Sequence, residues 1–200
     1  MPRLNLNPDK IYIIMNKPCG YVCSAVSDSH KTVYELLTPD LRELVQDPIR
    51  GERLHTVGRL DANTSGLLLF TNDGHFSHEL TTPENKVEKK YFIKLKNEVN
   101  DLQKKEYINA FQNGITLKAE KKGEAFTTSS SILEFESDST CFVTITEGKF
   151  HQVRRMISAV GNDVVELKRL SVANYVLPDD LEEGEYINLH YPMIKLGSKR

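Results

Sequence analysis

The sequence predicts an α+β fold: a mixed, largely antiparallel sheet with flanking helices. Three observations carry that expectation. "EKKYFIKLK" puts Tyr91, Ile93 and Leu95 on one side of an extended segment and charged residues on the other, the two-residue period of a strand with one wet face, which suits antiparallel pairing. "IYIIMNKP" and "GLLLF" are apolar runs too short to be helices. Stretches with helical spacing interrupt the strands irregularly instead of alternating with them as parallel βαβ units would.

In chain order, Ile11 to Pro18 reads as a buried strand ended by its proline. Thr32 is placed to cap a helix running through "VYELL" to Pro39. "GLLLF", Gly66 to Phe70, is a strand closed by the turn signal "NDG", and the alternating strand follows. "NDLQKKEYINAFQNG", Asn100 to Gly114, is a helix with Leu102, Ile108 and Phe111 inward and Gly114 past its end. "AFTTSSSILEFES" and "STCFVTITEG" are two further strands, and "FHQVRRMISAVG" is a helix with Val153, Met156, Ile157 and Val160 along one stripe. "DVVELKRLSV" and "EYINL" supply the last strands. No internal repeat, low-complexity tract or long linker is present. The expected organisation is an N-terminal extension over residues 1–10 and one domain over 11–200, with two lobes sharing a sheet.

A chain of 200 residues buries a sizeable core without staples, and 39% hydrophobic with 27% charged residues excludes the composition of a disordered chain. No apolar run approaches the roughly 18 to 20 residues of a membrane-spanning helix. "MPRLNLNPDK" lacks the apolar core of a secretory signal, so a cytoplasmic protein without membrane attachment is expected. Cys19, Cys23 and Cys141 are an odd number with neither zinc-ribbon nor redox spacing, and read as buried or inert thiols. The net charge is only −2, but the signs are sorted. "PDDLEEGE", Pro178 to Glu185, holds five acidic residues; "KVEKKYFIKLK", Lys86 to Lys96, carries five lysines against one glutamate; "GKFHQVRRM", Gly148 to Met156, has three basic residues and no acid. A charge run is ordinarily a solvated face, yet two basic tracts with aromatics inside them match a surface that tracks a phosphate backbone.

The sequence has no phosphate loop, dinucleotide fingerprint or "GxSxG" elbow. "HFSHE" spaces His75 and His78 by three with no third ligand at a recognisable distance, so no metal is expected. Ser65 serves a hydrolase only if a distant histidine folds against it. Asp61, in "VGRLDANTSGLLLFTNDG", has a plain reading as the start of an Asx turn. Its company makes it a candidate: Arg59 two residues earlier, Tyr91 inside a basic strand, and a later helix beginning with Lys149, His151 and Arg154.

At these residues the chain resembles a known family. "GRLDANTSGLLLFTNDG" is similar to the central motif of pseudouridine synthases, and "KKYFIKL" and "EGKFHQVRRMISAVGNDVVELKRL" to its companion motifs in the subfamily that modifies bacterial ribosomal RNA. The resemblance runs from "YIIMNKPCGYVCS" to "LEEGEYINL", and the flanks are most similar to the member acting on small-subunit rRNA. The chain departs from the pattern in having no separate N-terminal RNA-binding domain of the kind most relatives carry. Lys149 stands where arginine is commoner.

The resemblance implies the pseudouridine synthase catalytic fold and an isomerase that breaks the bond from ribose to uracil nitrogen, turns the base, and rejoins it through carbon 5. No electrons, phosphates or water are consumed, so no cofactor is implied. Asp61 matches the essential aspartate, acting as nucleophile or taking a proton from the sugar, and Arg154 the basic residue that keeps it ionised and oriented. A uridine in folded RNA is reached by flipping. Arg59 resembles the side chain filling the vacated gap and Tyr91 the aromatic that stacks on the flipped base, with its hydroxyl available to take the proton from carbon 5. Leu167 resembles the apolar residue closing the uracil pocket. Lys90, Lys149, His151 and Arg155 complete the expected RNA contacts, with Arg155 the phosphate contact beside Arg154. The implied partner is 16S rRNA, free or in a pre-ribosomal particle, met by a monomer. The alternatives are the same chemistry on 23S rRNA or tRNA, and a non-catalytic RNA-binding or ribosome-assembly module.

Overall fold

The computed structural model describes residues 10–46, 53–120 and 124–189; residues 1–9 of the expected N-terminal extension lie outside them. The chain divides into two units, one built on residues up to Val87 and from Ser171 onward, the other on Glu88–Leu170. Four α-helices accompany strands that pair antiparallel in every recorded register but one, so the fold is α+β.

In the first unit β1 (Tyr12–Lys17) is buried at every position, as its unbroken apolar run requires. β2 (Tyr21–Val22) and β3 (Lys31–Thr32) form a short parallel pair. The helix expected from Thr32 to Pro39 is a single 3-10 turn, Val33–Leu36, where the Glu35 side chain accepts the Thr32 N–H at 2.7 Å. Pro39 instead opens α1 (Pro39–Gln46), because a proline at the first helical position lacks only an N–H that has no intrahelical partner. β4 (His55–Thr56) and β1 both pair antiparallel with β5 (Ser65–Thr71), which is wholly buried. "NDG" is no hairpin turn. Asp73 accepts the N–H groups of His75 and Phe76 and caps α2 (Gly74–Thr81). Phe76 and Leu80 face inward and pack with Ile14, Leu67 and Leu69.

The second unit opens with β6 (Lys89–Leu95), where Tyr91, Ile93 and Leu95 are buried as their spacing predicts. α3 (Asp101–Asn113) begins at an Asn100–Gln103 capping box. Its inward pair is Tyr107 and Phe111, four residues apart; Leu102, expected inward, is 68% exposed in the first turn. Gly114 takes φ +83°, and a Cβ there would collide with the Thr128 carbonyl oxygen. β7 (Thr116–Leu117) and β8 (Phe126–Thr127) pair as a small ribbon. The segment expected as one strand is therefore split into β8 and β9 (Ile132–Phe135). β10 (Thr140–Ile145) lies between β9 and β6. α4 (Gln152–Ala159) buries Val153, Met156 and Ile157, while Val160 is its half-buried C-cap. β11 (Val164–Val172) completes the order β11-β6-β10-β9, and its last two residues belong to the first unit.

Back in the first unit, β12 (Tyr175–Val176) pairs with the end of β11 and β13 (Tyr186–Asn188) with β1. The acidic stretch is tied down on β1: Asn16 donates through Nδ2 to the Leu181 carbonyl and its backbone exchanges bonds with Gly184 and Glu185. Among the described residues no helix is long and apolar enough to cross a membrane.

Candidate active site

The candidate residues fall on both units. In the first, the segment between β4 and β5 is held so tightly that its carboxylate has one place to be. The N–H of Val57 bonds to Leu69, and Gly58 turns the chain at φ +68°, a conformation favouring glycine. Arg59 is exposed, and Leu60 is buried with its N–H on the Cys23 sulfur at 3.3 Å. Asp61 then begins a β-turn closed by Thr64 N–H to its carbonyl at 3.1 Å, and the Ala62 carbonyl accepts Gly20 N–H at 2.7 Å. Asp61 is half-buried. It does start a turn, as its plain reading predicts, and it stands beside Arg59.

The residue that sequence reasoning missed is Lys17. Its side chain is wholly buried, and its ammonium donates to the carbonyls of Pro18 at 3.0 Å, Asp61 at 3.1 Å and Thr64 at 2.8 Å. Burial pushes its proton affinity below the usual lysine range, opposed by attraction to Cys23, Cys19, Asp61 and Glu183. A fixed cation at the end of an apolar strand thus holds the Asp61 turn. A charged residue closing "YIIMNK" was the available signal, since a lysine is almost never fully buried unless its ammonium finds partners. Ser65 is 3% exposed as the first residue of β5, which disposes of it as an accessible nucleophile. Of the three thiols, Cys23 and Cys141 are buried and Cys19, expected buried or inert, is exposed.

In the second unit Tyr91 is buried on β6 opposite Val143. Lys90 next to it points to the other side, where its ammonium lies 3.5 Å from Glu134 and 5.0 Å over the Phe142 ring. On β11, Leu167 and Arg169 share the buried face. Lys89 is pushed down to about 8, first by burial and then by repulsion from Arg169. Two cations near each other on β6 and β11 were not anticipated, although the lysine and arginine were legible in their strands.

The lead-in to α4 carries the remaining candidates. The Lys149 ammonium sits 3.9 Å over the Phe126 ring, and His151 adopts the left-handed conformation at φ 47°. Arg154 is half-buried and donates to the Val164 carbonyl at 3.0 Å. Arg155 corrects an expectation. It is 6% exposed, and its guanidinium donates to the carbonyls of Lys118 at 2.6 Å, Glu124 at 2.9 Å and Phe150 at 3.4 Å. It joins segments of its own unit and is not displayed to a phosphate. Helical spacing puts Arg155 a turn before the buried Val153–Met156–Ile157 stripe ends, and there the carbonyls claimed it. The structure gathers Arg59, Asp61 and Lys17 in one turn, Tyr91, Lys89, Leu167 and Arg169 on two strands of the other unit, and Lys149, His151, Arg154 and Arg155 around the start of α4.

The chain matches the family described as RNA pseudouridylate synthase over residues 11–159. It is 39% identical over 175 residues to ribosomal small subunit pseudouridine synthase A of Haemophilus influenzae, covering 88% of this chain and 68% of the relative. The protein of that name from Escherichia coli K12 matches with the same identity and coverage. A solved crystal structure of pseudouridylate synthase superimposes with a TM-score of 0.78 at 39% identity, covering 90% of this chain and 70% of that one.

Proposed function

This chain belongs to the RNA pseudouridylate synthase family, and from that premise we propose that it isomerises a uridine of small-subunit ribosomal RNA to pseudouridine, with Asp61 as the essential carboxylate. The observation that carries the assignment is the Asp61 turn: a half-buried carboxylate whose backbone is clamped by a wholly buried ammonium. Such a turn loses no free energy to reorganisation when a substrate arrives.

The reaction conserves atoms. The bond from ribose carbon 1′ to N1 breaks, the uracil rotates, a bond from carbon 1′ to carbon 5 forms, and the proton leaves carbon 5 while N1 gains one. Flipping the base out costs a few kcal/mol. Arg59, exposed on the same turn, fills the gap, and Tyr91 stacks on the uracil and takes the carbon 5 proton. Arg154 favours the ionised carboxylate, and Leu167 supplies apolar surface to the base. The enzyme works as a monomer in the cytoplasm, on free rRNA or in a pre-ribosomal particle, and needs no cofactor because the isomerisation consumes nothing.

The test is to incubate the protein with unmodified 16S and 23S transcripts and with tRNA, and to map pseudouridines chemically. One position in the 16S transcript, absent with Asp61→Asn, is the expected result. A position in 23S rRNA or tRNA alone would move the target, and RNA binding without any pseudouridine would make the chain a non-catalytic RNA-binding module.

A further inference from the structure

The loop leading into α4 holds an aromatic stack that the isomerisation leaves unused. The rings of Phe150 and His151 lie face to face, centroids 3.9 Å apart and 18° from parallel, and Phe150 is 38% exposed. His151 holds a left-handed backbone, φ 47° and ψ 28°, which a non-glycine residue keeps only where its surroundings impose it.

Those surroundings are a buried polar frame. Gln152, 4% exposed, accepts the Lys149 N–H at 3.0 Å and donates to Glu147 at 2.8 Å. Glu147 in turn accepts the N–H and the hydroxyl of Ser129, both at 3.1 Å. Arg155, anchored on the Lys118 and Glu124 carbonyls, reaches the Phe150 carbonyl, and the Lys149 ammonium is laid over Phe126. Buried side chains thus fix an exposed ring pair, whereas packing alone would turn a phenylalanine inward.

We propose that Phe150, backed by His151, is a preformed stacking platform for one unpaired base of the RNA substrate. The proposal rests on the reading of the chain as an RNA pseudouridine synthase and adds a contact to it. A nucleobase is the occupant that fits. It presents a flat π-face, it stacks on exposed aromatics whatever its identity, unpaired bases are what proteins read in folded RNA, and the exposed Lys149 beside the platform complements its phosphate.

The experiment uses the full chain and a short hairpin transcript around the mapped pseudouridine site. Phe150→Ala and Phe150→Leu should each raise the dissociation constant about five- to a hundredfold, the range for losing one base–aromatic stack, while Phe150→Trp binds at least as tightly as the parent. Thermal midpoints should stay level, since the ring is at the surface. The decisive readout is a series of single abasic substitutions in the hairpin: one position should weaken binding to the parent protein and cost nothing further in Phe150→Ala. Abasic penalties that simply add to the Phe150→Ala penalty at every position, or a Phe150→Leu variant that binds like the parent, would overturn the platform. Pseudouridine formation by the parent protein is scored in the same series; failure of the parent to form any sinks the functional reading, whereas a platform failure leaves that product in place.

Discussion

Replacing Lys17 with methionine keeps the length and apolar body of the side chain and deletes the ammonium that clamps the Asp61 turn. Three carbonyls lose a charged donor. Asp61 O keeps the Thr64 N–H, and the Pro18 bond is partly open to water, but the Thr64 carbonyl bond is fully buried. An orphaned buried acceptor costs about 1–3 kcal/mol; adding a smaller penalty at Pro18 and crediting the relief of a desolvated charge leaves a loss of about 2–3 kcal/mol. For a chain of this size that lowers the thermal midpoint by about 4–12 °C. A turn free to shift by about 1 Å misplaces the carboxylate, which costs on the order of a hundredfold in rate. Differential scanning calorimetry checks the first number and single-turnover pseudouridine formation at saturating RNA the second. A variant that is destabilised yet turns over like the parent would refute the positioning role of Lys17, and one unchanged in both would show that the three bonds contribute nothing.

Other substitutions separate roles that the sequence merged. Tyr91→Phe keeps the ring and loses the hydroxyl, so RNA affinity should hold while product formation falls about 10²–10⁴-fold; equal loss of both, seen by filter binding and product mapping, would make Tyr91 a core residue only. Arg155→Ala strips charged donors from three carbonyls and should cost about 2–4 kcal/mol in urea unfolding. Lys149→Ala, at an exposed cation, should instead flatten the logarithmic salt dependence of RNA binding by about 0.7–0.9, and identical salt slopes in parent and variant would remove Lys149 from the phosphate surface. Lys89 titrates at about 8 in the folded protein against 10.5 as its ordinary value. Between those values the unfolded chain holds a proton that the folded one lacks, so stability gains a rising component with pH there and none below. Lys89→Met should remove that component, read as the difference in urea midpoints between about pH 7.5 and about pH 9.5.

What the sequence determined by itself is whatever depends on neighbours along the chain. The two-residue period placed Tyr91, Ile93 and Leu95 on one face of β6, the unbroken apolar run buried all of β1, and the helical stripe of α4 put Val153, Met156 and Ile157 inside. The Asp61 turn was legible for the same reason, because a short polar side chain before small residues organises its own backbone. What went astray was decided by partners far away in sequence. Leu102 has the apolar character of an inward residue, but α3 meets its core through Tyr107 and Phe111, so Leu102 stays exposed. "NDG" has the letters of a hairpin, yet Asp73 found the first turn of α2 and the Tyr12 hydroxyl, 61 residues away. A long cationic side chain carries no periodic mark of where its head will go. Lys17 is bound by carbonyls 44 and 47 residues on, and Arg155 by carbonyls 37 and 31 residues back, so the fold turned one strand-end lysine into the clamp of the catalytic turn and one expected RNA contact into an internal tie. Only the assembled backbone presents those carbonyls together, and a buried charge goes where its desolvation is repaid.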